Sequence, residues 1–280
     1  MVLSVSVSVV VPPPNRAELL AAAVASALDQ PGVDVEVLVC DDGATDGSAA
    51  VVAAIEDPRV RWLPGPASGG PAVPRNRGVA AARGEWVAFL DSDDRWRSGK
   101  LRAQLDRLDQ TGGDACVTNA FRCVPGDLSA PGLMHDRLPP LITLDNQLER
   151  NLVMTSTVLA RTTTLRRLGG FPEKSGRTLF EDYALWLRLA QERPVSVVDE
   201  PWVDYRDEAA ASVRGTMASE LTCTAHALED FVHWRRQGAD PVRTTAREVW
   251  VMARQLGRLV AVRDIVRRTL RPVVERNRTA

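Results

Sequence analysis

Two mostly apolar runs in the first third of the chain each end abruptly in acids, and this limits the folds open to it. Val35–Cys40 runs into Asp41-Asp42-Gly43, and Trp86–Leu90 runs into Asp91-Ser92-Asp93-Asp94. Short apolar runs closed by turn residues read as buried strands. In an open α/β sheet, residues just past the carboxyl ends of parallel strands face the crevice where ligands bind. Carboxylates gathered there repel one another unless something cationic joins them. A divalent ion carrying a diphosphate does that, so the pattern points to metal-dependent chemistry on a nucleotide diphosphate.

The segments around these runs support a repeating strand–helix order. Val5–Val11 alternates with serine, turns continuously apolar and is stopped by Pro12-Pro13-Pro14. Asn15 is placed to cap a helix reaching about Asp29, with Leu19, Leu20, Val24 and Leu28 on one face. Val60–Leu63 reads as a third strand, Arg75–Arg83 as a helix closed by Gly84, and Ser98–Thr111 as a helix ended by Gly112-Gly113. Cys116–Cys123 is extended. Strands alternating with helices predict an α/β fold with a mostly parallel sheet and helices on both faces. Farther on, residues 125–147 read as an irregular flap, Thr155–Ala160 as a strand, Thr162–Leu168 as a short helix and Asp182–Glu192 as a longer one. Val195–Val198 and Pro201–Tyr205 read as two short strands, and the chain from Met217 onward as helix in two segments.

Composition excludes several classes. A net charge of -1 gives no general attraction to nucleic acid. The charge is uneven, however: residues 241–280 hold ten Arg against Glu248, Asp264 and Glu275, about +7, leaving about -8 for the rest. Such a tail could be a solvated helix face or could touch an anionic membrane surface. Of the four cysteines, Cys116 and Cys123 lie seven apart on one extended segment and face opposite sides, and no C-x-x-C spacing occurs. Reduced thiols in a cytoplasmic protein are expected. The N-terminal apolar run lacks a charged leader, and no stretch approaches the ~20 apolar residues of a membrane span.

Taken together, the motifs resemble those of inverting GT-A glycosyltransferases of sequence family two. The pieces, in order, are Val9-Val10-Val11-Pro12-x-x-Asn15-Arg16, Val39-Cys40-Asp41-Asp42-Gly43-Ala44-Thr45-Asp46-Gly47-Ser48, Pro74-Arg75-Asn76-Arg77-Gly78, Gly84–Asp94, and Glu181-Asp182-Tyr183-Ala184-Leu185-Trp186-Leu187-Arg188. The resemblance spans roughly residues 4–210. It implies a Rossmann-like GT-A domain over 1–210, with a donor half 1–123 and an acceptor half 124–210, followed by a helical extension 211–280. It also implies transfer of a sugar from a UDP- or dTDP-sugar with inversion, using Mn²⁺ or Mg²⁺.

The same resemblance assigns roles. Asp93 would hold the metal, whose charge offsets that of the leaving nucleotide diphosphate. Pro12, Asn15, Asp42, Arg75, Asp91 and Ser92 would bind the donor. Asp42 would accept a hydrogen bond from the imide N–H of uracil or thymine, since a carboxylate accepts and does not donate. Asp182 would be the general base, with Glu181 and Asp94 as supporting acids and Thr155 and Ser156 lining the acceptor side. Asn15 and Asp41 also have plainer readings, as a helix cap and a turn residue. Trp186 reads as core, and His226 and His233 as packing or surface groups.

Two positions depart from the family pattern. Pro14 stands where an aromatic often stacks on the base, and Glu208 stands near where many relatives carry a His. Glu208 could ligate metal but would repel phosphate. A nucleotide-sugar-binding protein without transfer activity is therefore the alternative. The acceptor is left open among a saccharide, a lipid-linked sugar, a peptide and a small natural product, and a homodimer is also open.

Overall fold

The computed structural model describes residues 6–13, 16–124, 131–173, 180–207, 220–237, 245, 247–248 and 251–253. The first half follows the strand–helix order read from the sequence: β1 (Ser6–Val11), α1 (Ala17–Leu28), β2 (Asp34–Cys40), α2 (Ser48–Ala53), β3 (Val60–Leu63), α3 (Ala72–Ala81) and β4 (Trp86–Phe89). A short β5 (Arg95–Trp96), α4 (Lys100–Thr111) and β6 (Ala115–Cys123) come next. Then follow β7 (Gly132–Leu133), β8 (Leu141–Ile142), α5 (Leu144–Glu149), a 3₁₀ turn at Thr155–Thr157, β9 (Leu159–Arg161) and α6 (Thr162–Arg167). The last elements are α7 (Glu181–Glu192), β10 (Val195–Arg206) and α8 (Glu220–Gln237).

The ten strands among the described residues form one sheet in the order β3-β2-β1-β4-β9-β6-β10-β5, with β7 on β6 and β8 on β10. The block β3-β2-β1-β4 is parallel, as is the β6–β10 pair. Between them β9 runs antiparallel to both β4 and β6, so the sheet is mixed. Helices cover both faces, which is the α/β architecture expected.

The sheet is buried because its side chains alternate between two apolar layers. Val7, Val9, Val11, Val35, Val37 and Val39 pack on α1 and α4 through Leu20, Val24, Leu101 and Leu105. Val10, Leu38, Cys40, Val87 and Phe89 face the other way, toward Val79, Leu165 and Trp186. On that second side α3 approaches closely at Gly78, where a Cβ would lie 2.5 Å from Val10 Cγ1 and 2.9 Å from Cys40 Sγ. Trp186 is core, as read: it packs against Phe89 and Phe171 with ring centroids 6.0 and 5.7 Å apart. A third apolar cluster joins α7 to α5 and α8 through Tyr183, Leu187, Leu148, Leu228 and Phe231. There the buried Arg188 pairs with Asp230 at 2.5 Å and donates to the carbonyls of Leu168 and Gly170.

Several expectations change. Thr155–Ala160 is not one strand; a 3₁₀ turn precedes β9, because Thr157 Oγ1 and its amide both bond back to the Met154 carbonyl. The two short strands at 195–205 are one strand, carried past Glu200-Pro201 by register shifts that absorb the missing proline N–H. Described parts of the 125–147 connection are ordered as β7, β8 and the start of α5, which is opened by a capping box at Thr143 and Asn146. Helix α3 starts at Ala72 rather than Arg75, and α4 at Lys100 rather than Ser98. The four cysteines form no disulfide with one another, with Cys40, Cys116 and Cys223 buried and Cys123 half-buried. His226 is half-buried and His233 exposed on α8. No helix among the described residues is long and apolar enough to cross a membrane.

Candidate active site

The acids singled out from the sequence gather at the edge of the sheet where β1, β2 and β4 end. Asp91, Ser92, Asp93 and Asp94 follow β4 directly, Asp41 and Asp42 follow β2, and the buried Pro12 follows β1. Strand β9 reaches the same edge from the opposite direction. Its antiparallel course brings the turn before it, Thr155–Thr157, beside the end of β4.

That turn joins two groups of acids. Ser156 Oγ accepts from the Asp91 amide at 3.0 Å and donates to Asp94 Oδ2 at 2.6 Å. The neighbouring Thr155 Oγ1 donates to Asp182 Oδ2 at 3.0 Å, at the start of α7. Asp182 Oδ1 accepts from the Tyr183 amide at 2.7 Å. The turn itself is held from beneath: Trp96 Nε1 donates to the Ser156 carbonyl at 2.8 Å, and Gln104 Nε2 to the Thr157 carbonyl at 2.9 Å.

Arg75 forms a second bridge. Its Nη2 donates to Asp91 Oδ1 at 2.7 Å and its Nη1 to Glu181 Oε1 at 2.9 Å, with the side chain only 6 % exposed. The guanidinium also lies 5.3 Å from the centre of the Phe171 ring. Burial works against its charge, but Asp91, Glu181 and Asp182 together hold its pKa above the usual value. The neighbouring acids shift upward. Burial, then Asp182, pushes Glu181 up to about 7 against the pull of Arg75. Burial, then Asp91, raises Asp93, with Arg16 opposing. Asp94 is fully enclosed and raised well above the carboxylate range by burial, then by Asp91 and Asp93.

Asp93 pairs with Arg16, Nη1 to Oδ2 at 2.5 Å, and both side chains are partly exposed. Asp94 Oδ1 accepts from the Arg206 amide at 3.0 Å. Ser92 is buried, and its Oγ finds no hydrogen-bond partner among the described residues. On the β2 side, Asp42 Oδ1 accepts from both the amide and the hydroxyl of Ser68, at 2.8 and 2.6 Å. Asp41 Oδ1 accepts from the Ala44 amide at 2.8 Å, the turn geometry foreseen for it. Arg77 Nη1 donates to the carbonyls of Asp41 and Leu63, tying the ends of β2 and β3 together. Pro14, Asn15 and Glu208 lie outside the described residues.

Sequence reading assigned no role to Arg16, Ser68, Trp96, Gln104 or Arg206. Only Arg16 carried a signal, since it closes the first motif. Ser68 stands in a Pro- and Gly-rich loop without periodicity, and the others are brought in by contacts far apart in the chain.

Among the described residues no three His, Cys, Asp or Glu side chains converge into a complete metal cage. Mg²⁺-type dications do not need one: they are commonly held by one or two carboxylates, with phosphate oxygens and water filling the rest. The hard oxygen ligands of Asp93, beside Asp91, fit such an ion.

Comparison with known proteins places the chain in a family and a fold. Glycosyl transferase family 2 matches residues 8–164. The succinoglycan biosynthesis protein ExoO of Rhizobium meliloti (strain 1021) is 48% identical over 105 residues, covering 38% of this chain and 30% of ExoO. The Escherichia coli enzyme WfaP, a UDP-Glc:alpha-D-GlcNAc-diphosphoundecaprenol beta-1,3-glucosyltransferase, is 28% identical over 80% of this chain and 86% of its own length. Among solved structures, S. aureus TarS 1-349 in complex with UDP-GlcNAc superposes with a TM-score of 0.73 at 20% identity, covering 96% of this chain and 81% of TarS 1-349. The fold is therefore GT-A, and with more than half of its length matched the chain belongs to glycosyl transferase family 2.

Proposed function

We propose that the protein transfers a sugar from a UDP- or dTDP-sugar to an acceptor hydroxyl by one in-line displacement that inverts the anomeric centre. The observation that carries this reading is the Thr155-Ser156 pair. Adjacent residues hold the acids of the donor side, Asp91 and Asp94, and the candidate base Asp182. A single displacement needs the base fixed relative to the leaving group, and one rigid turn supplies that.

In this reading Asp42 receives the base. Ser68 occupies Oδ1, and Oδ2 accepts the imide N–H of uracil or thymine. Asp91 faces the ribose and sugar, with Arg75 fixing its carboxylate. Asp93 would hold Mn²⁺ or Mg²⁺, which when bound offsets the charge that develops on the leaving diphosphate. Asp182, in the first turn of α7, takes the acceptor proton and is positioned by Thr155. Half-buried Glu181 stands beside it and keeps Arg75 in place.

WfaP and the similar WfgD are named for a UDP-Glc donor and a diphosphoundecaprenol-linked acceptor, which supports a UDP-sugar donor and a lipid-linked sugar acceptor here. The basic segment 241–280 would suit such an acceptor by resting on the anionic cytoplasmic face of a membrane.

The test is thermal stability with UDP, dTDP, GDP or NAD, each with Mn²⁺, Mg²⁺ or EDTA, for the native protein and Asp93→Asn. The reading expects stabilisation by UDP or dTDP that EDTA or the substitution removes. Nucleotide binding without turnover on any lipid-linked or free sugar would favour the non-transferring alternative, and no shift with any nucleotide would overturn the donor site.

A further inference from the structure

Arg16 stands where the first strand hands over to the first helix, the point in an open α/β sheet where diphosphates are bound. Its guanidinium does not point into solvent. It lies on Asp93, the carboxylate to which the proposed function gives the metal, with the two side chains 16 % and 23 % exposed. Asp93 shares the loop after β4 with Asp91 and the enclosed Asp94. A carboxylate among other carboxylates is stabilised by a cation, and Arg16 supplies one in hydrogen-bond contact. A guanidinium and a divalent ion cannot share the same carboxylate oxygen. A diphosphate, in turn, matches the fork of an Arg side chain at least as well as a carboxylate does.

We propose that Arg16 is a built-in counter-cation of the donor site, competing with the divalent ion for Asp93 and turning to the donor diphosphate when the ion takes that carboxylate. The proposal rests on the reading of Asp93 as the metal-holding residue. Arg16 then suppresses binding of metal alone, and nucleotide and metal draw each other in because the diphosphate removes the competitor. No bond is made or broken; one ion pair is exchanged for two.

The experiment is titration of free Mn²⁺ by electron paramagnetic resonance, with and without UDP, on the native protein, Arg16→Gln, Arg16→Lys and Asp93→Asn, and UDP binding measured separately in EDTA. Arg16→Gln should bind Mn²⁺ alone roughly fivefold more tightly than the native protein, the size expected for losing one partly exposed ion pair. It should also bind UDP in EDTA more weakly by a similar factor, while Arg16→Lys stays near the native values in both. Mn²⁺ binding by Arg16→Gln equal to or weaker than native, with Asp93→Asn losing the ion, overturns the role of Arg16 but leaves the metal assignment standing. Mn²⁺ binding in the presence of UDP that is unchanged by Asp93→Asn overturns the metal assignment and takes this proposal with it. A purely structural Arg16 would lower stability in Arg16→Gln without tightening the metal.

Discussion

The two edges of the sheet carry the same residue types and treat them in opposite ways. At the edge where the parallel strands begin, Glu36 accepts from Ser8 Oγ, the Arg83 amide and Arg61. Burial opposes its charge, but those bonds prevail and its pKa is lowered. Nearby, Arg161 bridges Glu85 and Asp114 and lies over the Trp86 ring. At the edge where those strands end, Asp93, Asp94 and Glu181 are crowded, less well supplied with donors, and raised. One edge uses acids to fix the fold. The other crowds acids together so that Arg16 and Arg75 only partly offset the cost of their charge.

The largest expected effect lies at the second edge. Asp182→Asn should lower kcat by roughly 10²–10⁴ while leaving the melting temperature nearly unchanged. Activity within tenfold of native would remove Asp182 from the chemistry and blur the contrast between the edges. Next comes Arg75→Met, which leaves Asp91 and Glu181 facing each other without their cation. A stability loss of about 3–5 kcal/mol by urea denaturation is expected, as for one partner of a buried ion pair.

The pH dependence sharpens the comparison, because the two Glu residues should act with opposite sign. Glu181 has an ordinary value of 4.5 and is raised to about 7 in the fold, so the stability tied to its proton is present below 4.5 and lost as pH rises toward 7. Glu36 is lowered, so its contribution is present above 4.5 and lost as pH falls below it. Glu181→Gln should therefore flatten the decline between pH 4.5 and 7, and Glu36→Gln should flatten the acid limb instead. Denaturation midpoints at several pH values check both, and a shared sign would undo the distinction. The smallest effect belongs to Arg161→Met, whose half-exposed pairs with Glu85 and Asp114 predict a loss of about 1 kcal/mol or less and unchanged turnover.

Much of the donor half was legible because its signals are local. The runs Val35–Cys40 and Trp86–Leu90 are strands whose ends are marked by Asp and Gly, and both fall where expected. The acceptor half was harder because its order depends on partners far along the chain. Nothing in Thr155–Ala160 declares that β9 runs against its neighbours, and Pro201 disguises one strand as two. The acids of the site could be named from motifs, but not what holds them. Arg75 reaches Glu181 across 106 positions and Ser156 reaches Asp94 across 62, so neither pairing leaves a periodic trace.

The reversed course of β9 has a practical consequence. Every parallel strand delivers its functional residues on leaving the sheet, whereas β9 delivers Thr155 and Ser156 on entering it. The connections at the far edge, such as the exposed Pro31-Gly32 before β2, are thus separated from the rim by the length of a strand. A fluorescent label or an inserted reporter domain placed there would travel with the sheet and leave the acids untouched, giving an engineer a handle on this protein at the end of the molecule opposite the candidate site.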